Sequence, residues 1–175
     1  AYSGFQYQRN GPSIQEQLEN SITALTGEKV RIKAAGRTDA GVHALGQVVA
    51  FDTASTHPPS TFQRAMNHRL PDDIAIRAAY RVDDGFDPRR HALSRRYRYT
   101  MLTGSVHSPL RRRTSTLVRE DLNIVRMAEG AEMLVGVHDF ARFGGPLEHE
   151  GASTVREGFS SSVTAIDDAI VFEVE

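Results

Sequence analysis

The segment Gly36-Arg37-Thr38-Asp39-Ala40-Gly41-Val42-His43-Ala44 concentrates residue types that can do chemistry. Two glycines bracket one carboxylate between strand-like stretches. They let the chain turn sharply and let a ligand approach the backbone closely. Asp39 is thereby placed at a loop tip, with the guanidinium of Arg37 two residues before it and the imidazole of His43 four residues after. An ionised carboxylate so placed can act as a base or as an oxygen nucleophile. A cation beside it favours the ionised form. The same residue types also build an Asx turn, in which the carboxylate satisfies local amides and nothing more. A hydrolase pairing Asp39 with His43 is a third reading, for which no other feature of the sequence speaks.

The second chemical feature is the distribution of charge. The net charge is −1, but residues 89–119 hold nine arginines and no acid. Residues 120–175 hold three arginines against twelve acids, and residues 83–88 hold three acids. Only Lys29 and Lys33 are lysines. Arginine makes bidentate contacts to phosphate and stacks on bases, which suits an RNA partner. The acidic C-terminal third of the same chain is the alternative partner, and charge alone does not separate the two.

Other chemistries find little support. Cysteine is absent from the 175 residues, which removes disulfides, thiolate metal sites and a cysteine nucleophile. The seven histidines are dispersed, with no H-x-x-x-H pair for zinc. Glu148-His149-Glu150 is the one acidic–imidazole cluster, set in a Gly-flanked stretch that reads as a loop. Nucleotide-binding glycine motifs and the G-x-S-x-G elbow are missing. No apolar run approaches the roughly 18 residues of a membrane helix. A membrane partner is therefore not expected, and a cytoplasmic protein is.

The elements that must position these residues follow from periodicity. Ser13 with Glu16 forms a capping box, followed by Ile14, Leu18, Ile22 and Leu25 at helical spacing and by Gly27 as a stop. Residues 30–34 and 47–51 read as strands, and a helix capped by Ser60 runs to Leu70. Ile74, Ile76, Ala78 and Tyr80 alternate as a further strand. Residues 82–88 are a turn-rich break, so two α+β halves are expected, 1–82 and 83–175. In the second half, Tyr97, Tyr99 and Met101 alternate with Arg96, Arg98 and Thr100. A helix over 121–135 should bury Leu122, Val125, Ala128 and Met133. Val163–Ile166 and Ile170–Val174 form a hairpin around Asp167-Asp168.

Residues 35–48, Ala-Gly-Arg-Thr-Asp-Ala-Gly-Val-His-Ala-Leu-Gly-Gln-Val, closely resemble the signature of tRNA pseudouridine synthases of the TruA type. Further matches lie in order along the chain: Gly4-Phe5-Gln6-Tyr7-Gln8 with Ser13-Ile14-Gln15, Arg95-Arg96-Tyr97-Arg98-Tyr99, and Gly136-Val137-His138-Asp139-Phe140 with Phe143. The resemblance implies a pseudouridine-synthase fold: two ferredoxin-like, RRM-like halves with mainly antiparallel sheets flanked by helices around an RNA-binding cleft. It implies isomerisation of uridine to pseudouridine in the tRNA anticodon stem-loop, at tRNA positions 38 to 40, by a homodimer needing neither cofactor nor metal.

By the same resemblance Asp39 is the catalytic carboxylate. Attack on C1′, attack on C6 of the base and removal of the 2′ proton are all open to it. Arg37 supports the RNA after the target base flips out, and Tyr97 packs on the uracil. His43, Arg96 and Arg98 join them as substrate contacts, while Tyr99 is expected in the core. A non-catalytic RNA-binding module on the same scaffold is the alternative function. The family continues past the final strand with a further helix, so a longer native protein of about 25–30 kDa is expected.

Overall fold

A computed structural model describes residues 2–144 and 153–175. The chain forms two compact units, one ending at Leu93 and the other spanning Ser94–Glu175. Across both, the architecture is mixed α/β with three helices and mainly antiparallel sheets.

In the first unit, α1 (Ile14–Thr26) is delimited by local chemistry. Ser13 is extended and fully buried, and its hydroxyl accepts the Glu16 N–H at 3.2 Å. Gly27 closes the helix at φ 76°, a left-handed conformation that costs glycine little. Leu18 and Ile22 are buried against Phe5, Ile32, Phe62, Met66 and Leu70. That cluster is the unit's core.

The two expected strands shorten to β1 (Lys33–Ala34) and β2 (Val49–Ala50), paired antiparallel. Side chains have taken donors that a longer ladder would use. The Ile32 N–H bonds to Glu19 Oε1 at 3.1 Å, and the Val48 N–H to Gln47 Oε1 at 3.2 Å. α2 (Pro59–Arg69) starts two residues earlier than expected. Pro59 occupies the first turn, where its missing N–H costs nothing, and Ser60 lies inside the helix instead of capping it. Phe62, Met66 and Leu70 are buried as their spacing predicts, and Phe51 packs on Phe62 at 5.6 Å between ring centroids.

Residues 74–80 form no strand ladder. Asn67 of α2 pairs with both backbone groups of Ile76, at 2.7 and 2.9 Å, and Gln63 Nε2 donates to the Arg77 carbonyl at 2.6 Å. Helix side chains thus do what a neighbouring strand would do. Ile74, Ile76 and Ala79 pack on the core, whereas Tyr80 is exposed.

The second unit is built on a four-stranded sheet. Its order is β4 (Thr116–Val118), β3 (Tyr97–Thr103), β8 (Ala169–Val174), β7 (Ser161–Ile166). β3/β8 and β7/β8 are antiparallel, β3/β4 is parallel, and the β7–β8 hairpin turns at Asp167 with φ 53°. α3 (Ile124–Glu132) is capped by Asn123, whose Oδ1 accepts the Arg126 N–H at 3.0 Å.

The expected buried face of that helix is corrected. Val125 and Met133 are exposed, Ala131 is buried, and Leu122, Met127, Ala128 and Leu134 are partly buried. The inward stripe is centred on Met127, Ala131 and Leu134 with Leu122 and Ala128 beside it, and Val125 and Met133 fall outside it. A small hairpin pairs β5 (Gly136–Asp139) with β6 (Val155–Gly158), and a 3₁₀ turn follows at Ala141–Phe143.

Candidate active site

In the first unit the loop between β1 and β2 carries Arg37, Asp39 and His43. The turn at its tip is closed by backbone: the Val42 N–H donates to the Asp39 carbonyl at 3.1 Å. Gly41 takes φ 84° at the third position, where a side chain would be strained. The base of the loop is closed by Gln47, whose Nε2 donates to the Gly36 carbonyl at 2.7 Å, and by the Ala35 N–H on the Val48 carbonyl at 2.9 Å.

The N-terminal segment braces the other side. The Phe5 N–H donates to the Thr38 carbonyl at 2.9 Å. Helix α1 in turn holds that segment, since the Ile14 and Gln15 N–H groups donate to the Gly4 and Phe5 carbonyls. The buried Gln15 also accepts the Tyr7 N–H and donates to Glu19. Gly4 has φ 111°, and a Cβ there would lie 3.1 Å from the Thr38 carbonyl oxygen. Gly4→Ala is therefore expected to displace the Asp39 backbone. A misplacement of about 1 Å can cost 100-fold in rate. Steady-state turnover beside a thermal melt checks this: kcat should fall far more than stability does.

The side chains of Arg37, Asp39 and His43 are exposed. Among the described residues of this unit, no hydrogen bond or ion pair engages them. The Asx-turn alternative is thus not realised at Asp39: within this unit its carboxylate accepts no backbone N–H, and its carbonyl closes the turn. Arg37 and Asp39 are not joined as an ion pair either. The carboxylate is presented outward from a backbone held on three sides.

The remaining candidates lie in the second unit, at the start of β3. Tyr97 is 62% exposed and opposes Val174. Arg98 opposes Glu173 and pairs with it, Nε to Oε1 at 3.0 Å. Arg96, one residue before the strand, donates Nε to Glu175 Oε2 at 3.0 Å and closes the pair through its terminal nitrogen. The Ser94 hydroxyl donates to the other oxygen of Glu175 at 2.6 Å. Together the Ser94 and Arg96 donors hold the Glu175 carboxyl below its ordinary range, and Glu175 raises Arg96 in return. Alternation along a strand places Tyr97 on one face of the sheet and Arg96 and Arg98 on the other.

Sequence reasoning does not single out Glu173 and Glu175 as site residues. A signal for them exists all the same: acids two apart on β8 match arginines two apart on an antiparallel neighbour. Arg111 likewise pairs with Asp168 at the β7–β8 turn. The acidic C-terminal third is therefore the partner of Arg96, Arg98 and Arg111, while Arg112 and Arg113 are exposed.

Tyr99 is not a core residue. It is half-exposed, and its hydroxyl donates to Thr116 Oγ1 at 2.9 Å. It lines an apolar groove of about 330 Å3 with Met101, Met127, Ala131, Val163 and Phe172. The reason is that α3 covers only part of this sheet face.

Glu148-His149-Glu150 lies outside the described residues. Among the described residues, no three acidic or histidine side chains gather as a metal site, and no helix is long and apolar enough to cross a membrane.

Comparison with known proteins gives a consistent result. A family model described as tRNA pseudouridine synthase matches residues 1–89. The tRNA pseudouridine synthase A of Geotalea daltonii is 42% identical over 174 residues, which cover 99% of this chain and 71% of that protein. The protein of the same name from Geotalea uraniireducens is 43% identical over 173 residues, 99% of this chain and 70% of its own length. That of Geobacter sulfurreducens is 49% identical over 142 residues, 81% of this chain and 58% of its own length.

Proposed function

The chain belongs to the tRNA pseudouridine synthase family, and on that premise we propose that it isomerises uridine in the tRNA anticodon stem-loop, at tRNA positions 38 to 40. Pseudouridine synthases are isomerases. The bond from ribose C1′ to N1 of uracil breaks, C1′ rejoins the base at C5, the C5 proton is lost and N1 gains one. The observation that carries the proposal for this chain is the exposed, unengaged carboxylate of Asp39 on a loop braced by Gly4-Phe5 and Gln47.

In this reading Asp39 is the catalytic carboxylate. The target uridine leaves the stack at a cost of a few kcal/mol. Stacking on Tyr97, worth about 1–3 kcal/mol per base, offsets that cost. Arg37 supports the RNA after the target base flips out, and His43, on the same loop, is a further substrate contact. Arg96 and Arg98 meet the RNA backbone from the other face of their strand. The proposal extends to two ferredoxin-like halves and to a cytoplasmic homodimer.

Tritium release from C5-labelled uridine in tRNA tests the reaction, and primer extension after carbodiimide treatment maps its position. Binding without release would leave an RNA-binding module. Release from uridines elsewhere in the tRNA would refute the anticodon assignment alone.

Affinity for tRNA is expected to fall steeply with salt, with a log–log slope of about 0.7 per single-strand phosphate that the protein neutralises. Glu173 and Glu175 already occupy Arg98 and Arg96, so E173Q/E175Q should tighten binding a few-fold and steepen the slope. R96Q/R98Q should do the reverse. Identical isotherms for all three proteins across a salt series would assign these arginines to the intramolecular pairs alone.

A further inference from the structure

We infer that Arg77 is a positioning residue for the Asp39 loop, pinning the flank of that loop which the N-terminal segment does not reach. The inference rests on the catalytic role proposed for Asp39. The Arg77 guanidinium donates to the Leu45 carbonyl at 2.9 Å. Leu45 sits four residues past Gly41 and directly before Gly46, and its side chain is 81% exposed, so no packing holds it. Gly46 has open space around its Cα. A stretch with glycine at both ends and no buried side chain has many backbone states, and each hydrogen bond to its carbonyls removes some of them.

Arg77 can serve as an anchor because it is itself anchored. Its own carbonyl accepts Gln63 Nε2 at 2.6 Å. The preceding residue, Ile76, is gripped at both backbone groups by Asn67 and packs on the core. The chain of contacts therefore runs from α2 through Ile76 and Arg77 to the Leu45 carbonyl. Two residues further on, Gln47 closes the loop base on Gly36. Gln47 and Arg77 fix the return limb of the loop, and Phe5 fixes the outgoing limb at Thr38. An exposed arginine close to an RNA-modifying loop has an obvious other use, a contact to phosphate, and the test separates the two.

Arg77→Met keeps the aliphatic stem and removes the donor. For the full-length protein the expected result is a kcat for tritium release lowered about 10- to 100-fold, in line with the cost of a misplaced reacting group. The dissociation constant for tRNA and its salt slope should stay within about twofold of wild type. Arg77→Lys should recover part of the rate. Added methylguanidine should raise the rate of Arg77→Ala, a response that a general loss of stability would not show.

Three results would overturn the inference. One is a wild-type kcat in Arg77→Met. Another is a weaker affinity with a shallower salt slope, which would make Arg77 a phosphate ligand. The third is a slow Arg77→Ala that neither methylguanidine nor lysine improves. If the wild-type protein itself releases no tritium, the proposed isomerase activity falls first and this inference with it. An active wild type with an unaffected Arg77→Met removes only the inference.

Discussion

Asp39→Asn is expected to abolish tritium release while leaving tRNA affinity and thermal stability close to wild type. The substitution keeps shape and hydrogen-bonding capacity but removes the charge that a base or nucleophile needs. General acid–base catalysis alone is worth about 100- to 10,000-fold, and removal of a nucleophile costs at least as much. Stability should hardly move, because the carboxylate is exposed and engages no partner within its unit, and such surface changes stay within about 0.5 kcal/mol. Asp39→Glu should also fail, since one added methylene displaces the oxygens by about 1 Å from a backbone that Phe5 and Gln47 hold still. Single-turnover assays with saturating enzyme separate chemistry from binding. Measurable turnover by the Asn variant would take Asp39 out of the catalytic role.

Gly158→Ala is expected to be the most damaging small substitution for the fold of the second unit. A Cβ at residue 158 would lie 2.1 Å from the Leu134 carbonyl oxygen and 3.1 Å from its carbonyl carbon. Both are backbone atoms just beyond the C-terminus of α3, so no side chain can rotate away. The facing residue in the β5–β6 hairpin is Gly136, at φ 102°. The hairpin must separate from the end of α3, at a cost of about 3 kcal/mol, the upper range for overpacking. In a unit of this size that lowers its melting temperature by about 12–24 °C.

Gly130→Ala supplies the contrast. It lies within α3 with no atom inside 4 Å of the added methyl group, so helix propensity should stabilise it by up to about 1 kcal/mol. Thermal melts of the two variants should move in opposite directions. A Gly158→Ala protein that melts with wild type would disprove the close approach.

Much of this molecule is legible from its residues wherever the determining physics is local. Ser13, Glu16 and Gly27 delimit α1 because capping and left-handed closure involve only neighbouring residues. The β7–β8 hairpin follows from alternation around Asp167-Asp168 for the same reason. The Gly-bracketed Asp39 loop can be read as a presented carboxylate, but not distinguished from an Asx turn. That choice depends on whether the Asp39 carboxylate accepts a nearby backbone N–H; within its unit it accepts none, and the backbone carbonyl takes the Val42 N–H.

Contacts between residues far apart in the chain decide the rest. Residues 74–80 alternate like a strand, yet their backbone partners are Asn67 and Gln63 on α2, because a helix passes where a strand would have to lie. The arginine-rich stretch could face RNA or the acidic C-terminal third. Pairing of β3 with β8 brings Glu173 and Glu175 to Arg98 and Arg96, some 75 to 79 residues away in sequence. Charge composition cannot predict that register, because electrostatic attraction acts between groups in space and only folding sets which acid lies opposite which base. The order of residues alone is enough to place the chain in its family, to mark the loop that carries Asp39 and to draw the local elements around it. What braces that loop, and which cations are already engaged by acids of the same chain, follows only from the way distant segments pack.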